Sequence, residues 1–421
     1  MKVAAAVLLL LLAGLAAGCA GDSGVEPVGA ASCSRLLYEG DGEPDVVVVS
    51  DFPLRGIGAQ TTRLMVDAIE FVFRQRVFQA GEYRVGYQSC NDTVGDEPFD
   101  APLCRQNARA YVATEDVVGI IGPWNSGCAY EQIPILSRKV AGPLAMISPS
   151  NTFVGLTRTI PGETSGQALY PDGVRSYARV VTHDQAQGVA AAHLAARLGA
   201  RRAVVIHQDL ADIYVRGLTV PFVRAAKRLG LEVLQLEWPL RQNYTQLAAD
   251  VAAARPDIVF VAGLTQGNAK TLVDDLRAEL GPEMPLIAPD AFAADDIARE
   301  LGPAGEGMFL TVPGIPPEEL PPAGRRFVRA FGKANVDPGQ GAAEAAQATE
   351  ILLDAIGRSD GTRASVIDEL FATKVKNGIL GSFSFDRFGD IVPAPVGVYR
   401  FRDRKIVVEG VVRAPLDALG G

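Results

Sequence analysis

The sequence is poor in the residues that build metal centres and nucleophilic active sites. Its 421 residues include only 3 histidines and 5 cysteines, and no cysteines have the paired spacing of a zinc site. The G-x-S-x-G turn of serine hydrolases is missing, and His183, His193 and His207 are scattered along the chain. We therefore expect neither a metal centre nor a cofactor, and an envelope enzyme is the least favoured interpretation.

Positive charge is also in deficit. The chain has 40 Lys and Arg against 49 Asp and Glu, which gives a net charge of −9. This balance argues against nucleic acid or an anionic lipid surface as a partner. No long apolar run follows the N-terminal residues, so no membrane-spanning helix is expected in the rest of the chain.

The N-terminal residues indicate an export signal. One Lys precedes an apolar run that is shorter than the roughly 20 residues of a spanning helix, and the run ends in small residues at Cys19. Residues 15–19, Leu-Ala-Ala-Gly-Cys, resemble the lipoprotein box of bacteria, in which the cysteine becomes the lipidated first residue. The alternative is an ordinary signal peptide cleaved just before this cysteine. We predict a lipoprotein signal peptide over 1–18, and a flexible tether over 19–44 because Gly, Ala, Ser and Pro are frequent there.

Apolar β-branched runs alternate with amphipathic helical patterns along the mature chain. Predicted strands include Val117–Ile121 and Ile258–Ala262, and predicted helices include Thr61–Phe78 and Ala269–Leu280. Strands that are apolar on both faces and joined by helices indicate parallel sheets covered on both sides. The pattern pauses over 151–179, and it then restarts, so two α/β lobes are expected.

The loop after the first predicted strand contains two glycines, Gly56 and Gly58, that could begin a dinucleotide-binding fingerprint. The third glycine of that fingerprint is missing, and the next strand has no acidic residue placed at its end for a ribose. We interpret the loop as a glycine-containing turn before a helix, at the rim of a ligand cleft.

Polar loops follow several strands, where ligands of open parallel sheets bind. Ser126 and Thr152, in the first lobe, could cap helices or bind a carboxylate beside free backbone N–H groups. In the second lobe, the carboxyl group of Asp290 suits an ammonium group, and Tyr214 could cover an apolar moiety while offering its hydroxyl. Together these groups would bind a zwitterion between two lobes that close by a hinge motion.

Four cysteines remain after the N-terminal one. In an oxidising compartment they could form two disulfides, and the residues alone leave three pairings open. The four are Cys33, Cys90, Cys104 and Cys128.

Three segments carry a family resemblance: Ser-Asp-Phe-Pro-Leu-Arg-Gly at 50–56, Ile-Ile-Gly-Pro-Trp-Asn-Ser-Gly-Cys at 120–128, and Met-Ile-Ser-Pro-Ser-Asn-Thr at 146–152. With Arg179, Asp184, Gln187-Gly188 and Tyr214 after them, their order and spacing resemble the type I periplasmic solute-binding proteins of branched-chain amino acid ABC transporters. The resemblance extends from about residue 46 to 412. It implies an α/β fold of two Rossmann-like lobes with parallel central sheets, joined by three hinge crossovers, with the ligand cleft between the lobes. Lobe one would comprise 45–181 and 314–378, and lobe two 182–313 and 379–414.

The resemblance also implies roles for individual residues. Ser126, Asn151 and Thr152 would bind the ligand carboxylate, Tyr214 would cover the ligand, and Asp290 would bind its ammonium group. Asp290 is one methylene shorter than the family's glutamate, so a water bridge could replace the direct ion pair. Trp124 and Thr265 would shape the side-chain pocket. The resemblance further implies a Cys104–Cys128 disulfide, which leaves Cys33 and Cys90 for the second.

These features predict an exported lipoprotein that captures an amino acid or related small carboxylate and delivers it to an ABC permease. It would be a monomer, attached to the membrane only through its lipid. A ligand-sensing receptor of the same fold that regulates a partner protein is the alternative. Bulky Trp124 and polar Gln266 disfavour a purely aliphatic side-chain pocket.

Overall fold

The computed structural model describes residues 24–56, 58–140, 142–159, 166, 168–265, 268–334 and 341–414. The export segment and Cys19 lie outside the described residues. Among the described helices, none has the length and apolar character needed to cross a membrane.

The first lobe is built on a six-stranded sheet. Its strands are β1 (Val46–Phe52), β2 (Gln79–Ala80), β3 (Tyr83–Asn91), β4 (Val117–Ile121), β5 (Ala145–Ser148) and β6 (Tyr177–Arg179), in the order β2-β3-β1-β4-β5-β6. All pairs are parallel except β2 with β3. Because β1, β4 and β5 are buried along their whole length, they need the helical cover that their apolar sequences predict. The helices between them are α1 (Ala59–Gln75), α2 (Ala101–Ala113) and α3 (Ser126–Leu136).

The chain then enters a second α/β series. Its strands are β7 (Arg202–His207), β8 (Glu232–Glu237), β9 (Ile258–Ala262), β10 (Leu286–Ala288) and β11 (Phe309–Pro313). They pair in parallel. The helices of this series are α4 (Asp184–Arg197), α5 (Ile213–Arg228), α6 (Thr245–Ala253), α7 (Ala269–Leu280) and α8 (Asp295–Leu301).

The C-terminal part of the chain is shared between the two lobes. It contains α9 (Pro322–Ala334), α10 (Ala342–Arg358), α11 (Arg363–Phe371), β12 (Lys374–Gly378), β13 (Gly381–Phe385), β14 (Ile391–Val392), β15 (Ala394–Arg402) and β16 (Lys405–Ala414). Strands β12 to β14 form a small antiparallel sheet, and β15 and β16 extend the second lobe's sheet to the order β16-β15-β11-β10-β9-β7-β8. The fold is therefore the predicted one of two parallel-dominated sheets.

Core packing favours a later third crossover than the sequence suggests. Ile379, Phe383 and Ile391 lie in the same apolar cluster as Val48 and Phe73 of the first lobe. The second lobe's cluster instead takes in residues from 394 onward. We therefore propose that the chain crosses to the second lobe near 393–394, rather than near 378–381.

Part of the segment predicted as a flexible tether is attached to the first lobe. The backbone N–H of Val28 donates to the side chain of Gln88 at 2.7 Å, and Leu37 exchanges two backbone hydrogen bonds with Tyr87. A disulfide joins Cys33 to Cys90, and a second joins Cys104 to Cys128. The first disulfide and these hydrogen bonds align residues 28–37 with β3, so this stretch is not a free tether.

Candidate functional site

A cavity of about 260 Å³ lies between the two lobes. It is slightly smaller than the ~300 Å³ at which pockets for drug-sized ligands begin, so it suits a small molecule. The first lobe lines it with the loops after β4 and β5 and with residues of α1, α9 and α10, and the second lobe with the loop after β10 and the end of β11. Its polar lining residues are Thr61, Ser150, Thr152, Asp290, Glu344 and Tyr399, and Trp124 contributes an aromatic wall.

The glycine loop before α1 supports that aromatic wall. Gly58 has a φ of 85°, and a Cβ atom at this position would lie 2.9 Å from the ring of Trp124. Only glycine combines this backbone conformation with so close an approach. The loop therefore serves the cavity by making room for the indole ring.

Asn151 joins two loops of the first lobe. Its side-chain nitrogen donates to the carbonyl oxygens of Pro123 and Trp124, each at 3.0 Å, and its side-chain oxygen accepts from the hydroxyl of Tyr177. Asn151 is fully buried and is not among the residues lining the cavity. Its side chain therefore positions Trp124, and its backbone N–H donates to the hydroxyl oxygen of Ser148 at 3.0 Å.

Neither Ser126 nor Thr152 caps a helix. Asn125 is the N-cap of α3, and its side chain accepts the N–H of Gly127 at 2.7 Å. The Ser126 hydroxyl oxygen accepts the N–H of Phe153 at 3.3 Å, beside the first turn of the same helix. Thr152 lines the cavity, so a hydroxyl-bearing loop and a helix N-terminus, which favours anions, lie next to each other.

Asp290 is the centre of a hydrogen-bond cluster in the second lobe. Its Oδ1 atom accepts from the hydroxyl of Tyr214 at 2.7 Å and from the side-chain nitrogen of Gln187 at 2.9 Å. The same nitrogen of Gln187 donates to the carbonyl of Thr311 at 2.7 Å. Burial raises the pKa of Asp290 above its ordinary value despite these hydrogen bonds. A bound cation would favour the ionised form.

A second acid, Asp184, lies behind Asp290. Burial and the nearby charge of Asp290 raise its pKa well above the ordinary value, and a hydrogen bond from Thr152 opposes this shift only in part. In the described part of the chain, Oδ1 of Asp184 and Oε1 of Gln187 have no hydrogen-bond partner although both are buried. Buried polar atoms normally have partners, so water or a ligand is expected to complete this cluster.

The remaining site predictions differ in their placement. Tyr214 is half-buried, and its hydroxyl contacts Asp290, but the residue does not line the cavity. Thr265 is half-buried and is also absent from the lining, and Gln266 lies outside the described residues. Sequence reasoning missed Glu344 and Tyr399, which come from α10 and β15 and follow no strand of the parallel series.

A buried charged network lies beside the first crossover. Arg179 donates to Oδ1 of Asp390 at 2.8 Å and to the carbonyl of Phe153 at 2.8 Å, and Arg158 donates to the other oxygen of Asp390 at 2.8 Å. Arg179 and Asp390 are almost fully buried. Burial opposes ionisation of Asp390, but the neighbouring charges, chiefly that of Arg179, lower its pKa well below the ordinary value.

The sequence matches the periplasmic binding protein family over residues 52–404. The chain belongs to this family. The resemblance drawn from its motifs is therefore confirmed at the level of family and fold. No curated protein sequence matches the chain significantly.

Solved structures show the same fold at low sequence identity. A leucine-binding protein from Thermotoga maritima is 23% identical with a TM-score of 0.69, covering 88% of this chain and 99% of its own. An ABC transporter substrate-binding protein from Desulfitobacterium hafniense in complex with Leu is 22% identical, with a TM-score of 0.70 and coverages of 86% and 99%. A solute-binding protein from R. palustris in complex with benzoate is 17% identical, with a TM-score of 0.62 and coverages of 88% and 96%.

Proposed function

We propose that this binding protein captures an amino acid or related small carboxylate outside the cytoplasm and delivers it to an ABC permease. The observation that carries the proposal is that Asp290 of the second lobe and Thr152 of the first lobe line the same interlobe cavity. An acid on one lobe and neutral hydrogen-bond donors on the other are complementary to a zwitterion. The complexes of two relatives with Leu and with benzoate agree with a carboxylate ligand.

The carboxylate of the ligand would bind at the N-terminus of α3. Backbone N–H groups of the first helical turn and the positive end of the helix dipole favour an anion there. The hydroxyl of Ser126, at the same corner, would add a donor, and that of Thr152 would add another on leaving Asp184. Trp124 would form the wall beside the rest of the ligand.

The ammonium group would bind Asp290. Tyr214 and Gln187 donate to one oxygen of this carboxyl group, so they fix its orientation before a ligand arrives. Lobe closure would then exclude water from the ion pair, and the pair is stronger in a less polar environment. The unpartnered oxygens of Asp184 and Gln187 offer acceptors for the remaining ammonium protons or for a bridging water.

Attachment to the membrane through a lipid on Cys19 belongs to the same proposal. It rests on the N-terminal sequence alone, since this segment lies outside the described residues. Mass spectrometry of the protein purified from membranes tests it. A diacylated or triacylated Cys19 as first residue is expected, and an unmodified terminus near this position would refute the anchor.

Thermal unfolding of the purified protein against a panel of zwitterions and carboxylates tests the binding function. Ligand at about 1,000 times its Kd stabilises the folded state by roughly 4 kcal/mol, which raises the Tm by several degrees. The N-acetylated and amidated forms of the best ligand are matched controls, because each removes one charge. A shift with the parent compound alone supports the zwitterion site. The absence of any shift in a cooperatively unfolding sample would overturn the proposal.

A further inference from the structure

The ligand cavity has an acidic side chain on each of its two lobes. Asp290 lies on the second lobe, and Glu344, the third residue of α10, lies on the first. No Lys, Arg or His among the described residues lines the cavity. One acid suffices for the ammonium group of an amino acid, so the second needs its own explanation.

One role of Glu344 is to cap the N-terminus of its own helix. Glu344 is at the position from which a side chain accepts the N–H of the N-cap residue, here Gly341. This contact fixes the side chain at the helix N-terminus but does not neutralise it. Burial raises the pKa of Glu344 despite the backbone N–H donors.

The surroundings of Glu344 are acidic and enclosed. Gly314, in the second crossover, has a φ of 102°, and a Cβ atom there would lie 3.6 Å from Oε1 of Glu344. Tyr399 lines the same cavity, and its pKa is raised by burial and then by the charges of Glu318 and Glu344. This end of the cavity therefore has an acidic side chain and, among the described residues of its wall, no basic one.

Much of the cavity wall is apolar. Its lining includes the side chains of Met65, Val312, Ile315, Val328 and Ala343. A purely aliphatic side chain would fill an apolar region but leave the half-buried carboxyl group of Glu344 in the closed cleft without a cation, which is costly. A side chain with an alkyl stem and a cation at its end would pack against the apolar lining and also pair with the carboxyl group of Glu344.

Resting on the proposed function, we propose that the ligand is a basic amino acid and that Glu344 binds the ammonium or guanidinium group at the end of its side chain. Asp290 binds the α-ammonium group, and the neutral donors near Thr152 bind the carboxylate. The two acidic side chains then pair with the two cationic groups of the ligand, and the apolar lining packs against its alkyl chain. Glu344 is thus the residue that determines specificity.

Titration calorimetry with L-arginine, L-citrulline and L-leucine tests this assignment. Citrulline has nearly the shape of arginine without its charge, so their affinity ratio isolates the side-chain cation. We expect the unaltered protein to bind arginine at least ~10-fold more tightly than citrulline, and Glu344→Gln to bring this ratio close to one. Glu300→Gln, at an exposed glutamate of α8, is the matched control and should keep the ratio.

The outcomes separate the inference from the function on which it rests. If citrulline or leucine binds at least as well as arginine, or if Glu344→Gln keeps the arginine preference, the inference fails and amino-acid binding stands. If none of the three ligands binds, the inference fails, and the proposed function fails with it only if no zwitterion or carboxylate of the wider panel raises the Tm. The comparison of arginine with citrulline on the unaltered protein distinguishes these outcomes even if the variant does not fold.

Discussion

The hydroxyl of Tyr214 donates a hydrogen bond of 2.7 Å to Oδ1 of Asp290. The sequence led us to expect that this aromatic residue covers the ligand, whereas its polar end is directed to the acid that we assign to the ligand's ammonium group. Tyr214 therefore acts on the ligand through Asp290, by fixing the orientation of the carboxyl group.

Tyr214→Phe should weaken ligand binding without unfolding the protein. The variant keeps the ring and removes one hydrogen bond to a charged group, which corresponds to a loss of about 10-fold in affinity. Calorimetry with the best ligand measures it. Tyr130→Phe, at an exposed tyrosine, is the control. Equal affinities for the two variants would contradict the positioning role.

Asp390→Asn should strongly destabilise the protein. The variant leaves Arg179 buried without its anionic partner, and breaking a buried pair in this way typically costs about 3–5 kcal/mol. Asp274→Asn breaks an exposed pair with Lys270 and should cost less than ~1 kcal/mol. Chemical denaturation gives both values. A loss below ~1 kcal/mol for Asp390→Asn would show that the network is not important for stability.

The buried acids Asp51 and Asp92 should make the protein less stable as the pH rises. Both are fully buried in the first lobe, and burial, with the charge of Asp51 acting on Asp92, raises the pKa of each. The folded state therefore binds more protons than the unfolded state above pH ~4, so this contribution to stability is lost on going from acidic to alkaline pH.

Asp92→Asn tests this pH dependence. Urea unfolding at mildly acidic and mildly alkaline pH should show a smaller loss of stability for the variant than for the unaltered protein. Other buried acids with raised pKa values, such as Asp184, should leave part of the decline in place. An unchanged pH dependence of stability would mean that Asp92 has the same pKa in the folded and unfolded states, which would contradict the raised pKa.

Replacing both cysteines of the Cys33–Cys90 disulfide with serine should free the N-terminal segment. The bridge spans 57 residues, for which loop entropy predicts a stabilisation of about 4 kcal/mol. Hydrogen–deuterium exchange should become faster at residues 28–37 in the variant. Unchanged protection would show that the hydrogen bonds of this segment attach it to β3 without the disulfide.

Continuous patterns made most of the fold predictable from the sequence. The predicted strands Val117–Ile121 and Ile258–Ala262 and the helix Ala269–Leu280 are confirmed residue for residue, because buried parallel strands and amphipathic helices are the clearest patterns. The pattern missed β12, which is largely exposed, and α8, which has only 7 residues. Such short or exposed elements depend on tertiary contacts.

The site was predictable where it follows strands. Trp124, Thr152 and Asp290 line the cavity because parallel strands end at a common edge. Glu344 lines it from a helix N-terminus far along the chain, brought there by the packing of α10 against the first sheet. No local pattern reveals that approach.

The measurement that tests the central claim most directly is calorimetric titration of the best amino-acid ligand into Asp290→Asn. Removing one member of a desolvated charge pair costs about 2–5 kcal/mol, so affinity should fall at least ~30-fold with the fold intact. Asp354→Asn, at an exposed acid paired with Arg76, should leave it unchanged. Equal affinities for Asp290→Asn and the unaltered protein would contradict the assignment of Asp290 to the ammonium group.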